Sequence, residues 1–225
     1  MKVKICGMTR QQDLDVAARC GVDLCGFIFA AKSPRRIEPQ SAAALDSHGM
    51  TRVGVATESD PEKLAPLLNG ARLDLLQLHG NQSIECICAL NLPPEKLVRV
   101  FWPARHAAVV DLQREMDRFA PLVGLFLLDA GTSSGGSGQR IALESLSGLH
   151  IPRPWLLAGG LNADNVAGAV TACRELGSGI GGTSGGPATN LYGVDLNSGL
   201  EERPGCKDPV LVERALRALK TLPAA

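Results

Sequence analysis

The sequence predicts an α/β protein, a single-domain (β/α)8 TIM barrel, on two observations. Short, continuously apolar runs alternate with longer amphipathic segments along all 225 residues, and continuous apolar runs are typical of parallel strands buried on both faces. Eight such strand–helix units of roughly 28 residues each are close to the minimal βαβ repeat. Eight units favour a closed barrel over an open doubly wound sheet, and we expect one domain over residues 1–225.

Each predicted element follows from the local pattern. The predicted strands are Val3–Cys6, Leu24–Phe29, Val53–Ala56, Leu75–Leu78, Leu97–Trp102, Leu125–Leu128, Trp155–Ala158 and Val194–Leu196. The helix-period segments include Gln12–Cys20, Glu62–Leu68, Ala107–Phe119, Asp164–Arg174 and Val210–Leu219. Three helix starts are predicted from sequence: Thr9 with Gln12 forms a capping box, and Asp60 and Asp208 each precede a proline at the first helical position.

Composition and charge restrict the class of partner. The 23 basic residues balance 23 acidic ones, whereas proteins that bind nucleic acid or anionic membranes normally carry a basic excess. The apolar run from Leu122 to Leu128 is far shorter than the ~20 residues of a membrane helix, and the charged N-terminus does not resemble a signal peptide. Seven scattered cysteines indicate a reducing compartment. We therefore expect a cytoplasmic protein whose partner is a small molecule, with no nucleic acid and no membrane.

A glycine-rich stretch, 177–190, contains the pattern G-x-G-x-x-G at Gly177–Gly182. That pattern binds dinucleotides only when it follows a strand and opens a helix. Here it follows a predicted helix and precedes the eighth strand, so the sequence argues against NAD. We expect 177–190 to be a flexible insertion at the barrel face opposite the catalytic mouth.

Three other small-residue segments follow predicted strands. One of them alone would be a turn, but at successive strand ends they predict a phosphate site, because glycine allows backbone N–H groups close to an anion. Asn162 is expected to start a helix whose dipole points at the same region. The candidate phosphate-binding residues are Gly136, Ser137 and Gly138 after the sixth strand, Gly159 and Gly160 after the seventh, and Asn197, Ser198 and Gly199 after the eighth.

Three reactive side chains also lie at strand ends: Cys6 at the first strand, His79 at the fourth and Asp129 at the sixth. A lone cysteine such as Cys6 is usually a small buried hydrophobe, but alternation places Lys4 on the same face, where its charge would favour the thiolate. Asp129 shares a face with apolar residues, which would raise its pKa and suit a general acid. For His79, a satisfied polar residue at the rim and a ligand contact remain equally open. Cys86 and Cys88 have no second ligand pair, so no metal site is predicted.

Several motifs together resemble one family. They are Lys4-Ile-Cys-Gly-Met-Thr9, Gly26-Phe-Ile-Phe29 with Lys32-Ser-Pro-Arg35, Leu76-Gln-Leu-His-Gly80, Leu127-Leu-Asp129 with Gly135-Gly-Ser-Gly138, Leu157-Ala-Gly-Gly-Leu-Asn162, and Val194-Asp-Leu-Asn-Ser-Gly-Leu-Glu201 with Lys207-Asp208. Nearly the whole chain resembles the phosphoribosylanthranilate isomerase family of tryptophan biosynthesis. The insertion at 177–190 and Arg36 depart from the family pattern.

The resemblance implies a (β/α)8 isomerase that performs an Amadori rearrangement. It also implies that Cys6 is the general base, that Asp129 is the general acid, and that Arg35 contacts the anthranilate carboxylate. The three glycine segments would hold the phosphate, and no metal or organic cofactor is needed. The sequence leaves open whether the protein is a monomer or homodimer.

Two alternatives stay open from the residues alone. One is a sugar-phosphate isomerase of histidine synthesis on the same barrel, which resembles this chain in its phosphate loops but has a carboxylate where Cys6 stands. The other is a phosphate-binding protein without catalysis, which would need neither Cys6 nor Asp129. Fold by itself does not decide between them.

Overall fold

Eight parallel strands close into a barrel in chain order in the computed structural model, which describes residues 1–129, 146, 148–176 and 190–223. The strands are β1 (Lys2–Ile5), β2 (Leu24–Ile28), β3 (Thr51–Ala56), β4 (Leu75–Leu78), β5 (Leu97–Phe101), β6 (Leu125–Asp129), β7 (Trp155–Ala158) and β8 (Leu191–Leu196). Strand β1 pairs with both β2 and β8, and Lys4 is in register with Leu24 on one side and Asp195 on the other. The predicted (β/α)8 barrel is confirmed.

Helices follow the strands on the outside of the barrel. They are α1 (Gln11–Cys20), α2 (Pro39–Ala44), α3 (Pro61–Gly70), α4 (Ile84–Ala89), α5 (Val109–Phe119), α6 (Val166–Leu176) and α7 (Pro209–Lys220). The five helices predicted above are confirmed to within about two residues at most ends, whereas α2 and α4 are six-residue helices whose patterns are too short to stand out. A two-stranded antiparallel hairpin, β9 (Glu201–Arg203) and β10 (Cys206–Lys207), lies between β8 and α7.

Two of the three predicted helix starts are confirmed. The Asp60 carboxylate accepts a hydrogen bond from Glu62 N, and that of Asp208 accepts from Val210 N and Leu211 N. The capping box of Thr9 and Gln12 is wrong. Arg10 is the N-cap of α1, and Thr9 Oγ1 instead donates to the Gly205 carbonyl at 2.6 Å.

The barrel interior places the reactive side chains at one end. Below that end the interior is packed with apolar side chains of β5, β6 and β7, among them Val100, Leu127 and Leu156. Because all eight strands are parallel, their carboxyl ends meet at one face, where active sites of such barrels lie. In the part of the chain that the structure describes, no helix has the length and apolar character needed to cross a membrane.

The predicted insertion falls between described elements. Helix α6 ends at Leu176 and β8 begins at Leu191, as the helix-then-strand prediction requires. Residues 177–189, including the G-x-G-x-x-G pattern, lie outside the described residues, and so do Gly136, Ser137 and Gly138. The predicted insertion at the face opposite the mouth therefore stays a prediction.

Candidate active site

A cavity of about 510 Å³ lies at the carboxyl ends of the strands. Most of the candidate residues within the described ranges line it: Cys6, Arg35, His79, Asp129, Gly159, Gly160, Asn197 and Ser198. These residues come from the ends of five strands and from the segment after β2, so the fold brings together positions up to 192 residues apart. Gly199, the remaining candidate in the described part of the chain, is not among the residues that line the cavity.

Cys6 follows β1 and is almost completely buried, with 4% of its surface exposed. Its N–H donates to the Leu196 carbonyl of β8 at 2.8 Å, which anchors the residue to the barrel wall. Gly26 on β2 makes room for the thiol, because a Cβ on Gly26 would lie 2.7 Å from Cys6 Sγ. The position of the thiol therefore depends on a glycine of the neighbouring strand.

An ion pair lies in the barrel beside Cys6. Lys4 is fully buried, and its Nζ lies 2.8 Å from Oδ2 of Asp195 on β8. Burial favours the neutral amine, but Asp195 and Cys6 outweigh burial and raise the pKa of Lys4. The other carboxylate oxygen of Asp195, Oδ1, is buried and has no hydrogen-bond partner in the described structure.

The prediction that the neighbouring lysine gives Cys6 a thiolate is wrong. Lys4 does interact with Cys6 and lowers the pKa of its thiol, as does Lys207. Burial acts in the opposite direction and is the larger influence, with a further contribution from the Asp195 carboxylate, so the pKa of Cys6 is raised above its ordinary value. The geometry predicted for Lys4 is right, and its net effect on the thiol was overestimated.

Asp129 lies at the end of β6 beside His79. Its Oδ2 is 3.8 Å from His79 Nε2, and both side chains are 12% exposed. Gln77 Nε2 lies 3.0 Å from His79 Nδ1 and donates to it in this arrangement, which leaves the imidazole proton on Nε2, facing Asp129. Burial, reinforced by the charges of Lys4, Arg105 and Arg99, lowers the pKa of His79 to about 3, so the ring is neutral.

Arg35 lines the cavity and is held from behind by a carboxylate. Its Nε and Nη2 donate to Glu201 of β9 at 2.7–3.0 Å, and Lys207 of β10 contacts the same carboxylate at 2.8 Å. Arg36 points away from the cavity and pairs at the surface with Glu38. The predicted assignment of Arg35 rather than Arg36 to the site is therefore consistent with the direction of the two side chains.

The glycine turn after β7 has the backbone that the sequence suggested. Gly159 and Gly160 have φ of 95° and 61°, the left-handed region that glycine adopts without strain. A Cβ on Gly199 would lie 2.1 Å from the Leu161 carbonyl oxygen, so Gly199 allows the segments after β7 and β8 to pack together.

The helix predicted to start at Asn162 begins at Val166 instead. Asn162 opens the preceding turn, where its side chain accepts hydrogen bonds from the backbone N–H groups of Asp164 and Asn165. The short polar side chain thus stabilises a turn before the helix and does not cap the helix itself.

Sequence reasoning did not identify four polar residues at or behind the cavity: Gln77, Asp195, Glu201 and Lys207. Asp195, Glu201 and Lys207 belong to the C-terminal motifs that carry the resemblance. No local pattern indicated that these three residues would lie beside Lys4, Cys6 and Arg35. Gln77 alternates with Leu76 and Leu78 on β4, and a polar residue inside an apolar strand was the available signal. No cluster of three potential metal ligands occurs in the described ranges.

The fold and cavity define a class of protein. A closed (β/α)8 barrel with a thiol, a carboxyl group, an arginine and left-handed glycines at one mouth is a barrel enzyme built to act on a small anionic molecule. The family model described as N-(5'phosphoribosyl)anthranilate (PRA) isomerase matches residues 3–218. The chain belongs to this family and is an isomerase.

Relatives and solved structures agree with this assignment. The N-(5'-phosphoribosyl)anthranilate isomerase of Desulfovibrio desulfuricans is 43% identical over 96% of this chain and 94% of its own length. That of Maridesulfovibrio salexigens is 36% identical, over 96% and 97%. The crystal structure of the Thermus thermophilus isomerase superposes with a TM-score of 0.78 at 28% identity and covers 99% of this chain and 100% of its own.

One further neighbour carries a ligand. It is a phosphoribosyl anthranilate isomerase in complex with reduced 1-(o-carboxyphenylamino)-1-deoxyribulose 5-phosphate, with a TM-score of 0.71 and 26% identity over 99% of this chain and 100% of its own.

Proposed function

We propose that this protein converts N-(5-phosphoribosyl)anthranilate into 1-(2-carboxyphenylamino)-1-deoxyribulose 5-phosphate, an Amadori rearrangement. The observation that carries the proposal is that Cys6 and Asp129 line the same cavity. They lie at the ends of β1 and β6, which are three places apart around the closed barrel. This rearrangement needs an acid and a base that reach two different atoms of one substrate. The two side chains supply those groups from separate walls of the cavity.

Asp129 acts as the general acid in this mechanism. Its carboxyl group protonates the ring oxygen of the ribose, and the C1–O bond breaks to give an open-chain iminium ion. The neutral imidazole of His79, with Nε2 3.8 Å from Asp129, orients the carboxyl group without adding a charge.

Cys6 acts as the general base. Its thiolate removes the proton from C2 of the iminium ion, which forms an enolamine, and the enolamine tautomerises to the ketone. The overall reaction is an isomerisation, so the proton given by Asp129 and the one taken by Cys6 balance. Lys4 and Lys207 favour the thiolate against the effect of burial, and they are the groups in this chain that make the thiol a usable base.

Two further contacts orient the substrate. Arg35 binds the anthranilate carboxylate, and the backbone N–H groups near Gly159, Gly160 and Ser198 bind the phosphate. Both anchors are remote from C1 and C2, so they contribute positioning rather than chemistry. The carboxyphenyl and phosphate groups named in the ligand of the structural neighbour are the two anions that this arrangement of residues suits.

The test is direct turnover. The purified protein is mixed with N-(5-phosphoribosyl)anthranilate, and the loss of substrate fluorescence is followed. We expect Cys6→Ala and Asp129→Asn each to lower kcat by about 100-fold or more, with thermal unfolding nearly unchanged. Cys25→Ala is the control, because Cys25 is a buried cysteine of β2 next to Gly26, and alternation places it on the opposite face of the strand.

The outcome separates the alternatives. Binding of the substrate without turnover would favour a non-catalytic phosphate-binding protein. Turnover of a histidine-pathway aminoaldose at a higher kcat/KM than the anthranilate compound would favour the other isomerase. Near-normal turnover in Cys6→Ala or Asp129→Asn would remove that residue from the mechanism.

A further inference from the structure

A cluster of three charged side chains lies at the wall of the cavity, with Arg35 lining the cavity and the other two behind it. Glu201 is at its centre, 3% exposed, with Arg35 on one side and Lys207 on the other. Lys207 Nζ also donates to the carbonyl and side-chain oxygens of Asn197, at 3.2 and 3.0 Å. The cluster thus joins the segment after β2, the end of β8 and the β9–β10 hairpin.

The contacts of Arg35 leave one edge of its guanidinium group open. Glu201 accepts hydrogen bonds from Nε and Nη2, which form the side edge of the planar group. The end edge of the guanidinium group consists of Nη1 and the second N–H of Nη2. No described residue accepts a hydrogen bond from Nη1, so this edge is available to a ligand. A guanidinium can bind one carboxylate on each edge because its five N–H groups have a fixed planar arrangement.

The charges of the cluster leave a positive excess. Burial alone would raise the pKa of Glu201, but its hydrogen bonds and charge interactions with Arg35 and Lys207 outweigh burial and lower that pKa, so the carboxylate is ionised. Burial lowers the pKa of Lys207, and the Glu201 carboxylate opposes this change. Lys207 Nζ has three hydrogen-bond acceptors, the Glu201 carboxylate and two oxygens of Asn197, and this number matches the three N–H groups of an ammonium ion. Lys207 therefore brings a second cationic group to the Arg35–Glu201 pair.

The backbone around the cluster fixes it in place. Glu201 and Lys207 face each other in the register of the hairpin. A Cβ on Gly7 would lie 2.8 Å from Arg35 Cδ and 2.7 Å from Asn197 Oδ1, so the stem of Arg35 packs directly over the backbone after β1. The side chain of Arg35 therefore has little freedom to turn its open edge elsewhere.

We propose that Glu201 and Lys207 are positioning residues for Arg35. They hold the open edge of its guanidinium group toward the cavity and keep the cluster positively charged, so that it selects a ligand with a carboxylate. This inference rests on the proposed function, in which the ligand carries an aromatic carboxylate. Glu201 provides the orientation, and Lys207 provides the charge that keeps the Arg35–Glu201 pair from being neutral.

The experiment compares two ligands in several variants by calorimetry. The first ligand is reduced 1-(o-carboxyphenylamino)-1-deoxyribulose 5-phosphate, and the second is the same compound without the carboxyl group. In the unmodified protein we expect the second ligand to bind about 10- to 100-fold more weakly. In Glu201→Gln and in Lys207→Met we expect the first ligand to bind about tenfold more weakly and the second to change by less than twofold.

A matched control is available next to the site. Arg36 and Glu38 form the same type of pair at 2.8 Å, but both are exposed, and Glu38→Gln should leave the affinity of both ligands unchanged. In turnover, Glu201→Gln should raise KM with kcat within about threefold of the unmodified protein. If Glu201→Gln folds poorly, Lys207→Met still tests the proposal independently.

The possible failures are distinguishable. If the unmodified protein binds neither ligand, the proposed function fails, and this inference fails with it. If the unmodified protein discriminates between the two ligands and both variants discriminate equally well, the inference alone is overturned. Equal weakening of both ligands in the variants would show a general structural role and would also overturn it.

Discussion

At the scale of single residues, the Cys6 thiol is subject to opposing influences. Burial raises its pKa, whereas Lys4 and Lys207 lower it. We expect the rate of alkylation of Cys6 in the ligand-free protein to rise with pH to a midpoint above the ordinary value for a thiol, because only the thiolate reacts. Peptide-resolved mass spectrometry separates Cys6 from the other six cysteines, and exposed Cys88 is the internal reference.

Removal of Lys4 tests the direction of that balance. In Lys4→Met the cation that favours the thiolate is lost, and we expect the alkylation midpoint of Cys6 to move to still higher pH. A midpoint at or below that of Cys88 in the unmodified protein would contradict the dominance of burial.

His79 links the site to stability. Its pKa is about 3 in the folded protein against 6.5 for an ordinary histidine, so the unfolded chain binds more protons between these values. The stability that results is complete well above pH 6.5 and is lost as the pH falls through and below that value. Between pH 6.5 and 4.5 the loss from this residue is about 2 kcal/mol.

We therefore expect His79→Gln to lose less stability than the unmodified protein when urea unfolding is repeated at pH 7.0 and pH 4.5. His48→Gln is the control, because His48 is exposed and its pKa is raised by its hydrogen bond to Asp15. Equal acid sensitivity of His79→Gln and the unmodified protein would show that His79 is not buried in its neutral form.

At the scale of elements, we expect alanine substitutions of a glycine in β2 and of a glycine in α6 to have opposite effects on stability. Gly26→Ala would place a methyl group 2.7 Å from Cys6 Sγ, so we expect the thiol to move and kcat to fall at least tenfold, with a loss of about 1–3 kcal/mol in stability. Gly168 is inside α6 and has open space around it. Gly168→Ala should leave kcat unchanged and raise the free energy of unfolding by about 0.5–1 kcal/mol. Normal turnover in Gly26→Ala would show that the thiol tolerates displacement.

At the scale of the whole molecule, the 177–190 stretch is the predicted insertion. It joins the end of α6 to the start of β8, and a strand starts at the face of the barrel opposite its cavity end. We expect its replacement by a short turn to leave kcat and KM nearly unchanged. Stability should be equal or slightly higher, because each doubling of loop length costs only about 0.6 kcal/mol. A large rise in KM with unchanged thermal stability would instead indicate that its glycines reach the phosphate.

Local patterns were sufficient for the fold. Continuous apolar runs predicted all eight strands because parallel strands in a barrel are buried on both sides. The same pattern placed Cys6, His79 and Asp129 at strand ends, which meet at one face of a barrel. The assignment of Arg35 to the site came from the resemblance of the segment after β2 to the family. These features depend on residues that are close in sequence or on a repeat that organises the whole chain.

Long-range contacts decided the rest. Thr9 donates to a carbonyl 196 positions away instead of capping its own helix, Lys4 pairs with a carboxylate 191 positions away, and Arg35 pairs with Glu201 at a separation of 166. Whether Cys6 is a thiol or a thiolate depends on burial as well as on these charges. Electrostatic energy depends on spatial distance and on exclusion of water, and neither quantity can be read from the spacing of residues along the chain.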